Sequence, residues 1–161
     1  MIKPKNPDSN SCNNYRNYTI QFALDNLDFR PLQLADPVPL GRQILTDAGL
    51  DTSGDYSLFA ILPSGDFEDI RLNETFDLRG HGAEKFIAFH TDRKFQLTLN
   101  EHQITWGKPS IHGHELYKLA HIDCKQAVFL EVRGGKDRLI ETEEILDLTH
   151  AGVEHFITAP R

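Results

Sequence analysis

The sequence predicts an α+β protein built from two tandem copies of one small unit. Three observations carry this. The segment Asp77-Leu-Arg-Gly-His-Gly-Ala-Glu-Lys-Phe86-Ile returns as Asp147-Leu-Thr-His-Ala-Gly-Val-Glu-His-Phe156-Ile, about 70 residues later, the length of one small domain. Each copy opens on a run that alternates apolar and polar residues, the period of a half-buried strand. Each then carries a short stretch with apolar residues four apart, the spacing that lines one face of a helix.

The elements follow in order. Residues 1–17 are rich in Asn, Ser, Lys and Pro with almost nothing apolar, and are expected to be a disordered polar tail. In residues 18–24, Tyr18, Ile20, Phe22 and Leu24 share one strand face and Thr19, Gln21 and Ala23 the other. Asp25-Asn26 turns the chain into a second strand over Leu27, Phe29, Leu32 and Leu34, with Pro31 marking an edge or bulge. Leu40, Ile44 and Ala48 define a helix stopped by Gly49. Strands are expected over 56–62, 67–72 and 85–89, with an irregular acidic stretch at 72–78. The second copy repeats the order: Phe95, Leu97 and Leu99; Ile104 and Trp106; a helix through Leu116 and Ala120; then strands at 128–133 and 139–140, joined by a two-residue turn at Gly134-Gly135. Strand, strand, helix and three further strands make the β-grasp arrangement. The domains are expected at 18–90 and 95–161, joined by a linker at 91–94 that restricts relative motion without fixing it.

Composition narrows the function classes. The 161 residues carry a net charge of −7, distributed unevenly: residues 18–92 hold 13 acidic and 5 basic side chains, residues 93–161 hold 10 and 9. Phosphate backbones need a basic face, so nucleic acid is not expected as the partner. No apolar run reaches the ~18 residues of a membrane span, and the start lacks the apolar core of a signal peptide. A cytoplasmic protein without membrane partners is expected. Cys12 and Cys124 form no metal-type pair, and two reduced thiols are the plain reading.

The segment Leu40-Gly-Arg-Gln-Ile-Leu-Thr-Asp-Ala-Gly-Leu50 with the hairpin before it, and the ending Asp147-Leu-Thr-His-Ala-Gly-Val-Glu-His-Phe-Ile157, resemble the bacterial multiubiquitin family. The resemblance covers residues 18–161 and implies two tandem ubiquitin-like β-grasp domains. It implies a protein modifier from operons associated with phage defence, similar to the two-domain interferon-induced modifier of animals. The implied partners are an activating-enzyme-like protein, a conjugating-enzyme-like protein, a deconjugating peptidase and a target protein. No catalytic residue and no cofactor belong to the modifier itself. The conjugation tail would be Thr158, Ala159, Pro160 and Arg161. Pro160 and Arg161 stand where ubiquitin-type modifiers carry glycine. A tail accepted as it is, a tail trimmed for instance to Ala159, and a longer natural chain all fit.

Other constellations carry less. His102, His112, His114 and His121 cluster in the second copy, but nothing beside them completes a metal site, and none is expected. Cys124 near His121 lacks an orienting acid for thiol catalysis. Gly134-Gly135-Lys136 lacks the helix of a phosphate loop. The carboxylate runs at 66–69 and 141–144 read as solvated surface. The working surface is expected on the open sheet face, with Phe129, Arg133 and Ile157 binding partners. In one register Val128, Leu130 and Val132 point inward and Phe129, Glu131 and Arg133 outward; shifted by one residue, Phe129 joins the core. A non-covalent two-domain adaptor is the alternative to the modifier. A single-tail sulfur carrier would not need two copies.

Overall fold

The computed structural model describes residues 18–80, 85–150 and 152–161. The polar tail, Cys12 and part of each closing repeat lie outside them. The first unit comprises β1 (Tyr18–Leu24), β2 (Arg30–Leu34), α1 (Gly41–Asp47), β3 (Ser57–Ile61), β4 (Phe67–Ile70) and β5 (Lys85–Phe89). The second comprises β6 (Phe95–Leu99), β7 (His102–Trp106), β8 (Ser110–His112), α2 (Gly113–Ala120), β9 (Gln126–Leu130), β10 (Arg138–Ile140), β11 (Ile145–Asp147) and β12 (Glu154–Pro160).

Strand order is β2-β1-β5-β3-β4 in one sheet and β10-β9-β12-β6-β7 in the other. In each, the first and last strands of the unit pair in parallel at the centre, Phe22 beside Phe86 and Leu99 beside Phe156. These are two tandem ubiquitin-like β-grasp domains. A small two-stranded sheet of β8 and β11, absent from the sequence reading, has the bridge Leu40–Thr75 as its counterpart among the described residues of the first unit.

The helices sit where the four-residue spacing put them. Ile44 and Leu45 of α1 and Leu116 of α2 are buried. After α1, the N–H of Gly49 reaches Thr46 O (2.9 Å) and that of Leu50 reaches Leu45 O (3.0 Å). This is a Schellman stop, which requires the left-handed backbone that Gly49 adopts at φ 86. His121 occupies the same place after α2 at φ 54. A Cβ is strained there, so His121→Gly is expected to stabilise the protein by about 0.5–1 kcal/mol, net of the entropy glycine adds to the unfolded chain. Thermal unfolding should show a midpoint raised by about 2–4 °C.

Three details of the sequence reading are corrected. Val132, expected inward, is 41% exposed, because β9 ends at Leu130. The N–H of Glu131 still reaches His155 O (2.9 Å), but Val132 already accepts the turn hydrogen bond from Gly135 (3.1 Å). The connection to β10 is therefore not a two-residue turn: Leu130 pairs with Arg138 across residues 131–137. Ala23, placed on the polar face of β1, is 2% exposed.

Ala23 is buried because the two units share a core. Phe59, Phe67, Ile87 and Phe89 on the outer face of the first sheet join Ile104, Trp106 and the interior of the second unit in one buried cluster. The Phe89 and Trp106 rings meet edge to face at 5.0 Å. A side chain at Gly107 would collide with Phe89, 2.3 Å away. The uneven charge has a structural counterpart at the rim of this contact. Asp69 pairs with Lys94, Asp28 with Lys118 (3.5 Å) and Asp66 with His102 (3.4 Å). In each case the first unit supplies the acid and the linker or second unit the base.

Asp66 also accepts the N–H of Gln103 at 2.9 Å. That bond, then the Ser64 hydroxyl and His102, hold its carboxyl below the ordinary value of 3.8. A carboxyl depressed by folding adds stability above its unfolded pKa, and the contribution fades as pH falls through the folded value. Asp66→Asn should therefore be less stable than the parent at neutral pH, with the gap narrowing below about pH 4. Urea unfolding at several pH values measures that gap.

Candidate functional site

The outer face of the second sheet is built from the same register as the covered face of the first. Phe59 lies opposite Ile87 across β3 and β5. Phe129 lies opposite Ile157 across β9 and β12. The first pair is buried by the second unit. The second pair is only partly buried and belongs to neither core cluster, whereas Val128 and Leu130 face inward. The register with Phe129 outward is the one adopted.

Leu139 on β10 extends this row, opposite Phe129 and 37% exposed. Sequence reasoning missed it, although its place two strands from Ile157 follows once the ladder is known. Around the row the surface turns polar. His155 sits beside Thr98, with Nδ1 to Oγ1 at 2.7 Å. Asp137 and Ala159 stand at the positions that Phe67 and Phe89 occupy in the first copy. An apolar centre with a polar rim is the anatomy of a docking surface that is free part of the time. The larger apolar centre of the first copy's face, Phe59, Phe67, Ile87 and Phe89, suits a permanent contact.

Of the expected partner-binding residues, the structure brings Phe129 and Ile157 together but not Arg133. Arg133 lies beyond the end of β9, exposed in the turn, for the reason that also exposes Val132. The four expected tail residues do not hang free. Thr158, Ala159 and Pro160 continue β12, opposite Val128, Ala127 and Gln126, and the N–H of Arg161 reaches Lys125 O at 3.1 Å. Asn100 grips the strand from its other side. Its Oδ1 accepts the N–H of Thr158 (2.9 Å) and its Nδ2 donates to Thr158 Oγ1 (3.1 Å).

The histidines scatter. The His112 and His114 rings lie 5.2 Å apart, tilted by 40°, while His102 and His121 line a cleft of about 720 Å³ between the units. Leu27, Phe29 and Ile61 contribute its apolar wall, and neither carboxylate run reaches it. Among the described residues no group of three metal-ligating side chains converges. Cys124 is exposed. No helix among the described residues is long and apolar enough to cross a membrane.

The family model for multiubiquitin matches residues 26–91 and again 95–161, well over half of the chain. The chain belongs to the multiubiquitin family. A comparison with curated proteins gives no match. As a multiubiquitin chain it is a ubiquitin-like protein, and its two copies differ in what covers their sheets. The first copy's sheet face is spent on joining the units, and the second copy's is open.

Proposed function

We propose that this chain is a protein modifier whose second unit carries both the recognition face and the reactive end. The observation supporting this reading is that the open row and the tail share one strand. Ile157 belongs to the apolar row, and Thr158 to Pro160 follow it directly in β12. A partner seated on Phe129, Leu139 and Ile157 is thereby placed beside the segment it must process.

The chemistry belongs to the partners. The terminal carboxylate attacks the α-phosphorus of ATP, forming an acyl adenylate and releasing pyrophosphate. A thiolate of the activating or conjugating enzyme displaces AMP to give a thioester. A target amine then displaces that thiolate, leaving an amide and a free thiol. A peptidase reverses the last bond with water. The modifier is not itself an enzyme in this reading, and acts in the cytoplasm, in defence against phage.

The test is to combine the chain with an activating-enzyme-like and a conjugating-enzyme-like protein, and with ATP. Mass spectrometry should find its C-terminal peptide joined to another protein. Phe129→Asp, at a partly exposed position, should reduce transfer about tenfold or more, the loss of one interface anchor, with little change in melting temperature. If the chain stays free while both enzymes turn over ATP, the reading fails. If a chain blocked at its C-terminus keeps its cellular activity, the adaptor replaces the modifier.

A further inference from the structure

Both units use one device to hold their last strand, at places that differ by two residues. In the first unit Asp25, at φ 61, donates its N–H to Ala88 O (2.8 Å), and its Oδ1 accepts the N–H of His90 (3.0 Å). In the second, Asn100, at φ 52, donates its N–H to Phe156 O (2.8 Å), and its Oδ1 accepts the N–H of Thr158 (2.9 Å). Phe86 and Phe156 are the matching buried residues of the two last strands. The clamp of the first unit therefore falls two and four residues past that phenylalanine, and the clamp of the second falls on the phenylalanine itself and two residues past it.

The displacement follows the register: β1 ends beside Ala88, and β6 ends beside Phe156. Pro160 stands where His90 stands, and proline has no N–H to give. A clamp at the first unit's position would have no donor. Pro160 also leaves its side of the strand without a donor for further pairing. The consequence is a change of support within β12. Up to Thr158 the strand is held from both sides, by β9 and by β6 with Asn100. From Ala159 onward its backbone partners among the described residues are all on the β9 side, Ala127, Gln126 and Lys125. Beyond Phe156 no side chain of the strand is fully buried, so little packing resists detachment.

We propose that Ala159–Arg161 is a strap that peels from β9 as an extended segment while Asn100 keeps Thr158 in the sheet. Asn100 is a positioning residue: it sets how much chain becomes available without unfolding the unit. The proposal rests on the modifier reading for its purpose, since a partner's narrow active site would receive the detached segment. Its physical content does not depend on that reading.

Residue-resolved amide hydrogen exchange on the full chain tests it. After correction for intrinsic rates, Ala159 and Arg161 should exchange about tenfold or more faster than Ile157. Asn100→Gly suits the positive φ, keeps the backbone bond to Phe156 and removes the side-chain half of the clamp, so it should raise the exchange of Thr158 to the rate of the strap. Asn100→Asp restores the acceptor that Asp25 provides in the first unit, and should keep Thr158 protected. Equal protection of Arg161 and Ile157 would overturn the strap, and an unchanged Thr158 in the glycine variant would overturn the role of Asn100. Adenylation by the activating enzyme is measured separately. Fast strap exchange with no adenylate sinks the modifier reading and leaves the strap standing.

Discussion

Gly113→Ala should be the most damaging single methyl group in the second unit. A Cβ at Gly113 would sit 1.9 Å from Glu141 O and 2.9 Å from its carbonyl carbon. Both obstacles are backbone, which cannot rotate away as a side chain would. The glycine starts α2, and the helix start is tied to the same loop. The N–H of Gly113 reaches Glu144 O (2.7 Å), and that of His114 reaches Thr142 O (2.9 Å). Glu115, itself buried, accepts the N–H of His112 at 3.1 Å. Making room for one carbon means moving the helix off all of these partners. The expected loss is about 2–4 kcal/mol, from overpacking plus unmade buried hydrogen bonds, or a melting point lower by roughly 5–15 °C. Gly41→Ala, facing Arg71 O at 2.5 Å, should cost less. Gly80→Ala, with nothing among the described residues within 4 Å of the new carbon, serves as the neutral control. Equal melting points for the alanine variants at 113 and 80 would refute the account.

That pair of glycines also shows what the sequence made legible. Gly41 and Gly113 align as a repeated helix start, and Gly49 reads as a stop, because helix ends have local chemistry. The long strands read well because one buried face imposes a period of two. β8 and β11, of three residues each, are too short to show a period. The face of Ala23 was misread for a different reason. A strand covered on both sides carries no alternation, and Leu58, Phe59 and Ala60 are all fully buried. Which side of such a run meets a second unit is tertiary information. Comparing the copies would have exposed it, since Phe67 and Phe89 become Asp137 and Ala159. At the candidate site, Phe129 and Ile157 were readable from the ladder pattern, whereas Arg133 was misplaced because β9 ends at Leu130, three residues earlier than expected. The clamp at Asn100 was unreadable, because it depends on a side chain reaching 58 residues along the chain to Thr158.

Phe89→Ala should loosen the joint between the units and report on it optically. The Phe89 ring is fully buried, 5.0 Å from Trp106 and 6.1 Å from Phe59. It belongs to the first unit but is buried in the cluster that continues into the core of the second. Truncating it removes a large apolar group and leaves a cavity, a loss of about 3–5 kcal/mol. The rim pairs between the units are exposed, and such pairs are worth about 1 kcal/mol or less each, so they do not replace it. Each unit retains its own sheet and helix, so the loss should fall on the joint first. Trp106 is the single tryptophan of the chain, which makes its fluorescence a direct probe. The parent should emit at short wavelength and resist acrylamide. The variant should shift to longer wavelength and admit the quencher, while far-ultraviolet circular dichroism stays near that of the parent. Opening the joint also uncovers Phe59 and Ile87, the same pair in the same register as Phe129 and Ile157. A partner that binds the second unit's row should then find a second place on the variant, and the stoichiometry in titration calorimetry should rise from one toward two. A shifted tryptophan with stoichiometry still at one would mean that Phe129 and Ile157 are recognised through their polar surroundings rather than as an apolar row.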